Sequence, residues 1–286
     1  MYFYTKAHLI LTHRRKEKKH RANIEQGEGI TFDPTTTARR SLDECFRILS
    51  SEPHALPKPA SHIQYLHNEQ GQHIEPITIY MDGSYLQNGK LDTACGSGIW
   101  FGPDHPLNRV IKVPGPHQSN QTGEIATIVH TLQITNPTLP ITIVTDSCYA
   151  MDRLTIYLKD WEDKGWTNVT NHEWFNAVAY HLQCRMASTN FKWVKGHQGT
   201  LGNEQADKLA NQGAKKTEAD QIDTMVPENF NTTGICLSTL TQKLAYQTIQ
   251  NKRKDQLYPQ QTLINLDITR YATQDITGHL ETDATL

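Results

Sequence analysis

Four carboxylates occupy positions where a packed α/β domain does not ordinarily place them. Asp82 follows the apolar run Ile77-Thr78-Ile79-Tyr80-Met81, and Asp146 follows a second, Ile141-Thr142-Ile143-Val144-Thr145. A carboxylate at the end of a buried strand costs desolvation unless it meets a cation or hydrogen-bond donors. Glu124 opens the helix expected between these strands, and Asp207 falls in the first turn of a helix expected to begin near Asn203. Carboxylates that converge on one spot repel each other, so such a set is stable around hard cations. The chemistry indicated is a magnesium site, with two Mg2+ ions roughly 3.5–4 Å apart that activate a water and stabilise the leaving oxygen of an in-line phosphoryl displacement. Each residue alone has a plainer reading. Asp82 before Gly83 is then a turn residue, and Glu124 or Asp207 a favourable charge near a helix N-terminus. Their order along the chain favours the metal reading.

The elements that must position these residues follow from periodicity. Strands are expected at residues 77–80, 98–101, 109–113, 141–145 and 191–195, with Asp82-Gly83-Ser84 and Gly102-Pro103-Asp104 as punctuation. Ile125, Ile128, Val129 and Leu132 form a helical stripe that ends before Pro137. Trp174, Val178, Tyr180, His181 and Leu182 mark another helix, and Ala206, Leu209, Ala210 and Gly213 the last. Two strands joined through a helix are parallel neighbours under the right-handed crossover rule, which places Asp82 and Asp146 at the same sheet edge. The class is therefore α/β.

Composition bounds the rest. The chain has 286 residues, 37% hydrophobic and 20% charged, with a formal net charge of −2. Nucleic-acid binding must then come from local patches rather than from the field of the whole molecule. The dense basic run is His13 to Arg21, with a smaller cluster at Lys252-Arg253-Lys254. The first could act as a nuclear address or a phosphate-binding arm, but its plain reading is a solvated tail. Five widely spaced cysteines without a C-x-x-C pair indicate neither a disulfide framework nor a zinc ribbon. No run approaches the ~20 apolar residues of a membrane-spanning helix. The expectation is an intracellular, monomeric protein with no membrane association.

Three regions are expected. Residues 1–75 form a polar, basic flank with one amphipathic helix at 37–49, carried by Leu42, Cys45, Phe46 and Leu49, and a linker containing Pro53, Pro57 and Pro59. Residues 76–216 form the α/β domain. Residues 217–286 form a polar extension with helices at 237–252 and 267–280, and its ending carries no stop signal, as expected of a fragment of a longer protein.

The segments Tyr80-Met81-Asp82-Gly83-Ser84, Asn120-Gln121-Thr122-Gly123-Glu124, Val144-Thr145-Asp146-Ser147 with Tyr149, Trp193-Val194-Lys195-Gly196-His197 and Gly202-Asn203-Glu204-Gln205-Ala206-Asp207 resemble, in order and spacing, the type 1 ribonuclease H domain. The resemblance covers about half of the chain. It implies a ribonuclease H-like fold, a five-stranded mixed sheet with helices on both sides. It also implies a metal-dependent endonuclease that cuts the RNA strand of an RNA/DNA hybrid, with Asp82, Glu124, Asp146 and Asp207 as ligands of two Mg2+ ions that Mn2+ can replace. His197, ten residues before Asp207, matches the family's histidine on a mobile loop, where an imidazole can move protons. Asn120 and Gln121 match positions that contact the minor groove, where the ribose 2′-OH distinguishes RNA from DNA. Gly83, Ser84 and Asn203 are further candidates for such contacts. The plain reading of Asn120 is a helix cap.

Residues 158–166, with Trp161, Lys164 and Trp166, resemble the family protrusion that holds the DNA strand, but Asp160, Glu162 and Asp163 outnumber Lys159 and Lys164. Hybrid binding is expected to depend on other parts of the chain, and the two tryptophans to pack in the core. Residues 240–246, 269–272 and 281–286 resemble the region downstream of the ribonuclease H domain in fungal non-LTR retrotransposon polyproteins. The Tyr-x-Asp-Asp polymerase motif is absent, so a reverse-transcriptase module would lie outside this chain. Two alternatives stay open: a DNA-acting nuclease of the wider superfamily, since fold does not fix substrate, and a hybrid-binding module without catalysis.

Overall fold

The computed structural model describes residues 13–50, 74–86 and 94–255 apart from 38, 40, 117, 229 and 232, together with 265, 268, 269, 271 and 272. The chain begins with helix α1 (His13–Glu25), strand β1 (Ile30–Thr31), a single helical turn α2 (Leu42–Cys45) and strand β2 (Arg47–Ile48). Strands β3 (Ile77–Leu86), β4 (Ala94–Trp100) and β5 (Arg109–Lys112) follow, then helix α3 (Asn120–Ile134) and strand β6 (Ile141–Thr145). Helices α4 (Cys148–Asp152) and α5 (Leu158–Asp163) run into each other through a π-helical turn, Arg153–Tyr157. Helix α6 (His172–Cys184), strand β7 (Thr189–Trp193) and helix α7 (Leu201–Ala214) complete the α/β region. Strand β8 (Ile235–Cys236) and helix α8 (Gln242–Asp255) lie beyond it.

One mixed sheet has the order β1-β7-β6-β3-β4-β5. The three antiparallel strands β3, β4 and β5 are joined directly in sequence, whereas β3, β6 and β7 are parallel, as strands linked through helices must be. Ile77 pairs with Ile141 and Ile79 with Ile143, and Ile143 in turn with Phe191. Ile79, Ile143 and Phe191 are fully buried, beside Ile125, Leu154 and Phe175. These near-continuous apolar strands are what a sheet covered on both faces requires.

The alternation of β4 shows the two covering layers. The Ser97 hydroxyl donates to the Gly123 carbonyl of α3 at 2.7 Å, and the Cys95 thiol to the Ser119 carbonyl at 3.1 Å. On the opposite face Gly98 lies under α7, so closely that a Cβ there would fall 2.0 Å from the Ala206 carbonyl oxygen. Ala206, Ala210 and Ala214 give α7 the small-residue stripe that permits this approach, and all three are buried.

Three expectations need correction. The mixed sheet has six strands rather than five, because β1 joins its edge antiparallel to β7, Ile30 opposite Phe191 and Thr31 opposite Asn190. A two-residue strand is too short to show the alternation by which strands are recognised. The helix expected at 37–49 shrinks to α2, since Arg47 and Ile48 pair instead with Cys236 and Ile235 of β8. The Arg47 guanidinium donates to the carbonyls of Glu162 and Gly234 at 2.9 and 2.7 Å, which holds this stretch extended. Leu42 and Phe46, read as an apolar stripe, are exposed. The basic run at 13–21 is no solvated tail but part of α1, whose His20 is buried.

In the extension, the helix expected at 237–252 starts later, at Gln242, after a 3-10 turn at Leu237–Thr239. Thr241 caps it, its hydroxyl accepting from the Leu244 N–H at 3.1 Å. The helix expected at 267–280 lies largely outside the described residues. Among the described residues no helix is long and apolar enough to cross a membrane.

The fit between β4 and α7 yields a test. Gly98→Ala should destabilise the chain by about 1–3 kcal/mol, because a methyl group must displace helix backbone rather than a flexible side chain; the midpoint of urea unfolding measures it.

Candidate active site

Asp82 and Asp146 each lie two residues beyond the last β3–β6 pair, Tyr80 and Val144. Parallel pairing therefore carries both to the same edge. The other two carboxylates arrive through glycine. Asp82 is opposite Gly98 in the β3–β4 ladder, and Gly98 lies under Ala206, the residue before Asp207. Gly83 abuts the start of α3, where a Cβ would stand 2.6 Å from the Glu124 nitrogen. Two positions without a side chain thus let helices from opposite faces bring Asp207 and Glu124 towards Asp82.

Three details differ from the sequence reading. Helix α3 begins at Asn120, so Glu124 lies in its second turn rather than opening it. Strand β3 continues past Asp82 to Leu86, so Asp82 lies within a strand rather than at its end. Helix α7 begins at Leu201, which puts Asp207 in its second turn.

Protein donors hold each acid. Asp82 Oδ1 accepts from the Gly83 N–H at 2.8 Å. Glu124 accepts from the Ser147 hydroxyl and, at 3.3 Å, from Asn120 Nδ2. Asp207 Oδ1 accepts from Asn211 Nδ2 at 2.8 Å, and the Asn211 Oδ1 in turn accepts from the Ser84 hydroxyl at 2.6 Å. Asp146 has Asn203 Nδ2 at 3.5 Å, while its backbone carbonyl accepts from Trp193 Nε1 at 2.8 Å. Held in this way, among the described residues no three His, Cys, Asp or Glu side chains come together as the ligands of one ion.

The charges nevertheless act on one another. The Asp82 carboxyl is pushed up to about 8, first by burial and then by the negative charge of Asp146, against the opposing Gly83 N–H, with Asp207 and Glu124 adding to the rise. Glu124 is also raised, chiefly by burial and further by Asp146, while the Ser147 hydroxyl favours its charged form. A half-buried carboxyl raised by burial and by neighbouring carboxylates is the kind of perturbed acid that clusters at functional sites.

The remaining candidates are distributed around this set. Asn120 and Gln121 are exposed on the first turn of α3. The cap of that helix is Ser119, whose hydroxyl accepts from the Thr122 N–H at 3.0 Å. His197 is exposed on the turn after β7, in the left-handed region at φ 53°. Its neighbour Gly196 lies against Asp146, with space for a Cβ only 2.5 Å from Oδ2. Asn203 is 2% exposed, so its amide faces Asp146 rather than solvent, and its Oδ1 has no hydrogen-bond partner among the described residues. The Ser84 hydroxyl is committed to Asn211.

Sequence reasoning did not single out Ser147 or Asn211 as holders of carboxylates. Each had a signal: Ser147 is the helix-capping residue directly after Asp146, and Asn211 is one helical turn after Asp207. In the expected protrusion, Trp166 is buried and Trp161 packs edge-on to Phe175 at 5.0 Å. Lys159 pairs with Asp163 at 2.8 Å and Lys164 with Asp160 at 2.7 Å, so its positive charge is neutralised internally.

A family model described as RNase H matches residues 75–215. The chain is 33% identical over 147 residues to Ribonuclease H1 of Homo sapiens, covering 50% of this chain and 51% of that protein. It is 34% identical over 144 residues to Ribonuclease H of Pseudomonas paraeruginosa, covering 49% of this chain and 93% of that protein. The crystal structure of a type 1 RNase H with the type 2 active-site motif aligns at a TM-score of 0.41 and 19% identity, covering 62% of this chain and 87% of that one. The chain spans about half the length of the mammalian relatives it matches.

The raised acid makes stability depend on pH. A carboxyl whose folded value lies near 8 favours folding below its ordinary value of 3.8, and that advantage is lost as pH rises through 8. Asp82→Asn should therefore melt like the parent near pH 4 in metal-free buffer and increasingly above it towards pH 9, where the gain is on the order of 1 kcal/mol or a few °C. Thermal melts of both proteins with EDTA across that range check the sign and the window.

Proposed function

The chain belongs to the RNase H family, and from that premise we propose that it is an endonuclease hydrolysing the RNA strand of RNA/DNA hybrids with divalent metal. One observation supports the reading: parallel β3–β6 pairing carries Asp82 and Asp146 to one sheet edge, and Gly83 and Gly98 let α3 and α7 approach it with Glu124 and Asp207. This oxygen-only, anionic donor set fits Mg2+, with Mn2+ as a substitute. When bound, two such ions supply Lewis-acid activation of the attacking water and charge stabilisation of the leaving oxygen.

The chain's own residues do the rest. Asp82, Asp146 and Asp207 would hold the cations, whose charge would favour the ionised form of Asp82. Glu124 binds as well, and the Ser147 hydroxyl fixes its carboxylate so that one oxygen can orient the water. Asn120 and Gln121, exposed beside Glu124, are placed to read ribose hydroxyls, their amides both donating and accepting. Gly83 and Ser84, the two residues after Asp82 on β3, are further candidates for such contacts. Asn203 acts from beneath by positioning Asp146. His197, exposed on the turn that Gly196 anchors at Asp146, delivers a proton to the departing 3′-oxygen, leaving 5′-phosphate and 3′-hydroxyl ends.

The retrotransposon resemblance of residues 240–246, 269–272 and 281–286 supports a polyprotein origin, with a reverse transcriptase as the module that generates the hybrid.

An end-labelled RNA/DNA hybrid, incubated beside matched duplex DNA and duplex RNA with Mg2+, Mn2+ or EDTA, tests the function. Metal-dependent cutting of the RNA strand of the hybrid alone is expected, and cutting of duplex DNA instead would replace this reading. Asp146→Asn should reduce cleavage by at least about 100-fold while hybrid binding persists, since it removes one ligand charge at nearly constant volume. Full activity in that variant would remove Asp146 from the site.

A further inference from the structure

A site built from four carboxylates repels the phosphates it must cut, and the whole chain, at −2, supplies no attractive field. Positive charge must be held locally. The protrusion that resembles the family's strand-holding element does not offer it, because its two lysines are paired with Asp160 and Asp163.

Helix α1 carries exposed positive charge and is docked on the segment that follows Asp146. One stripe of this helix docks on the segment that begins directly after Asp146 and Ser147. His20 Nδ1 lies 3.2 Å from Asp152 Oδ1 and 3.5 Å from the Thr155 hydroxyl, and the Tyr157 hydroxyl donates to Glu17. Ile24, one turn beyond His20, packs against the core. Glu17, His20 and Ile24 share one helical face. Asp152, which receives His20, is the last residue of α4, and Cys148 is the first. Tyr157 meets Glu17 and Asp152 meets His20, so the two segments run in opposite directions and the part of α1 that carries Arg21 continues towards the start of α4, two residues after Asp146.

Arg21 and Lys18 are both exposed and make no ion pair among the described residues. Strand β1 secures the far end of the helix by pairing with β7, so the helix is fixed at two places on the α/β domain.

Resting on the RNase H reading, we propose that α1 is a built-in grip for the sugar–phosphate backbone of the hybrid, with Arg21 and Lys18 taking phosphates beside the carboxylate site. The grip replaces the protrusion whose own lysines are neutralised. It carries no sequence information and acts on affinity, because backbone contacts fix register rather than read bases.

The test is the salt dependence of hybrid binding by the full chain, in the Asp146→Asn background with Mg2+. Each phosphate contact contributes about 0.9 to the slope of log K against log salt for duplex DNA, and the same order for a hybrid. Lys18→Gln with Arg21→Gln should lower the slope by about 1–2 and weaken binding at low salt about tenfold. Both side chains are exposed, so the melting temperature should not change. Lys18→Arg with Arg21→Lys should restore the slope. Removing two charges from α8, with Lys243→Gln and Arg253→Gln, should leave it nearly unchanged. An unaltered slope in the α1 variant, or an equal fall in the α8 variant, would overturn the grip while leaving the nuclease reading in place. A background protein that binds no hybrid, with a parent that cuts none, would overturn both.

Discussion

Placing Asp82 inside a sheet beside Asp146 works against folding, and most local features of the domain are arranged around that conflict. Burial and like charge both oppose ionisation of Asp82 and push its carboxyl up to about 8. The backbone cannot relieve this by moving the residues apart, because the β3–β6 register that aligns Ile77 with Ile141 and Ile79 with Ile143 also fixes both aspartates. Apolar pairing thus holds the acids together at the cost of their repulsion. Donors at Gly83, Ser147 and Asn211 offset part of that cost.

The helices are held by the same economy of space. Where α7 crosses β4 and α3 meets β3, the contact is backbone against backbone, with glycines where side chains would otherwise stand. Such contacts leave little latitude. Asp207 and Glu124 are positioned by helix axes rather than by flexible side chains, so a shift of either helix would move a carboxylate by the same amount. Preorganisation of this kind favours charge stabilisation during a reaction, since the groups need not reorganise as charge develops.

Outside the sheet, charge is handled in two opposite ways. The region resembling a strand-holding protrusion turns its charges inward: Lys159 meets Asp163, Lys164 meets Asp160, and the Arg39 guanidinium meets Asp163 at 2.8 Å and Glu162 at 3.3 Å with little exposure. That cluster joins the segment before β2 to α5 and acts as structure. Helix α1 does the reverse, docking through Glu17 and His20 and leaving Lys18 and Arg21 outward. Among the described residues, Lys18 and Arg21 of α1 are thus exposed without an ion pair, whereas Lys159 and Lys164 are each paired with an aspartate.

Read alone, the amino-acid sequence determined the α/β class and the long strands, and it marked four acids as candidates. Runs such as 141–145 are apolar enough to be recognised without partners, and acids following them at such places are anomalous on elementary desolvation grounds. It did not determine strand β1, the short extent of α2, the docking of α1 or the holding role of Ser147. Each of these depends on a partner far along the chain: Phe191 for Ile30, Cys236 for Arg47, Asp152 for His20, Glu124 for Ser147. Local periodicity reports a burial pattern within one turn or a few strand residues and carries no record of such partners. Two-residue strands and one-turn helices exist because tertiary contacts stabilise them, and a basic helix is indistinguishable from a basic tail until the acids that receive it are brought alongside.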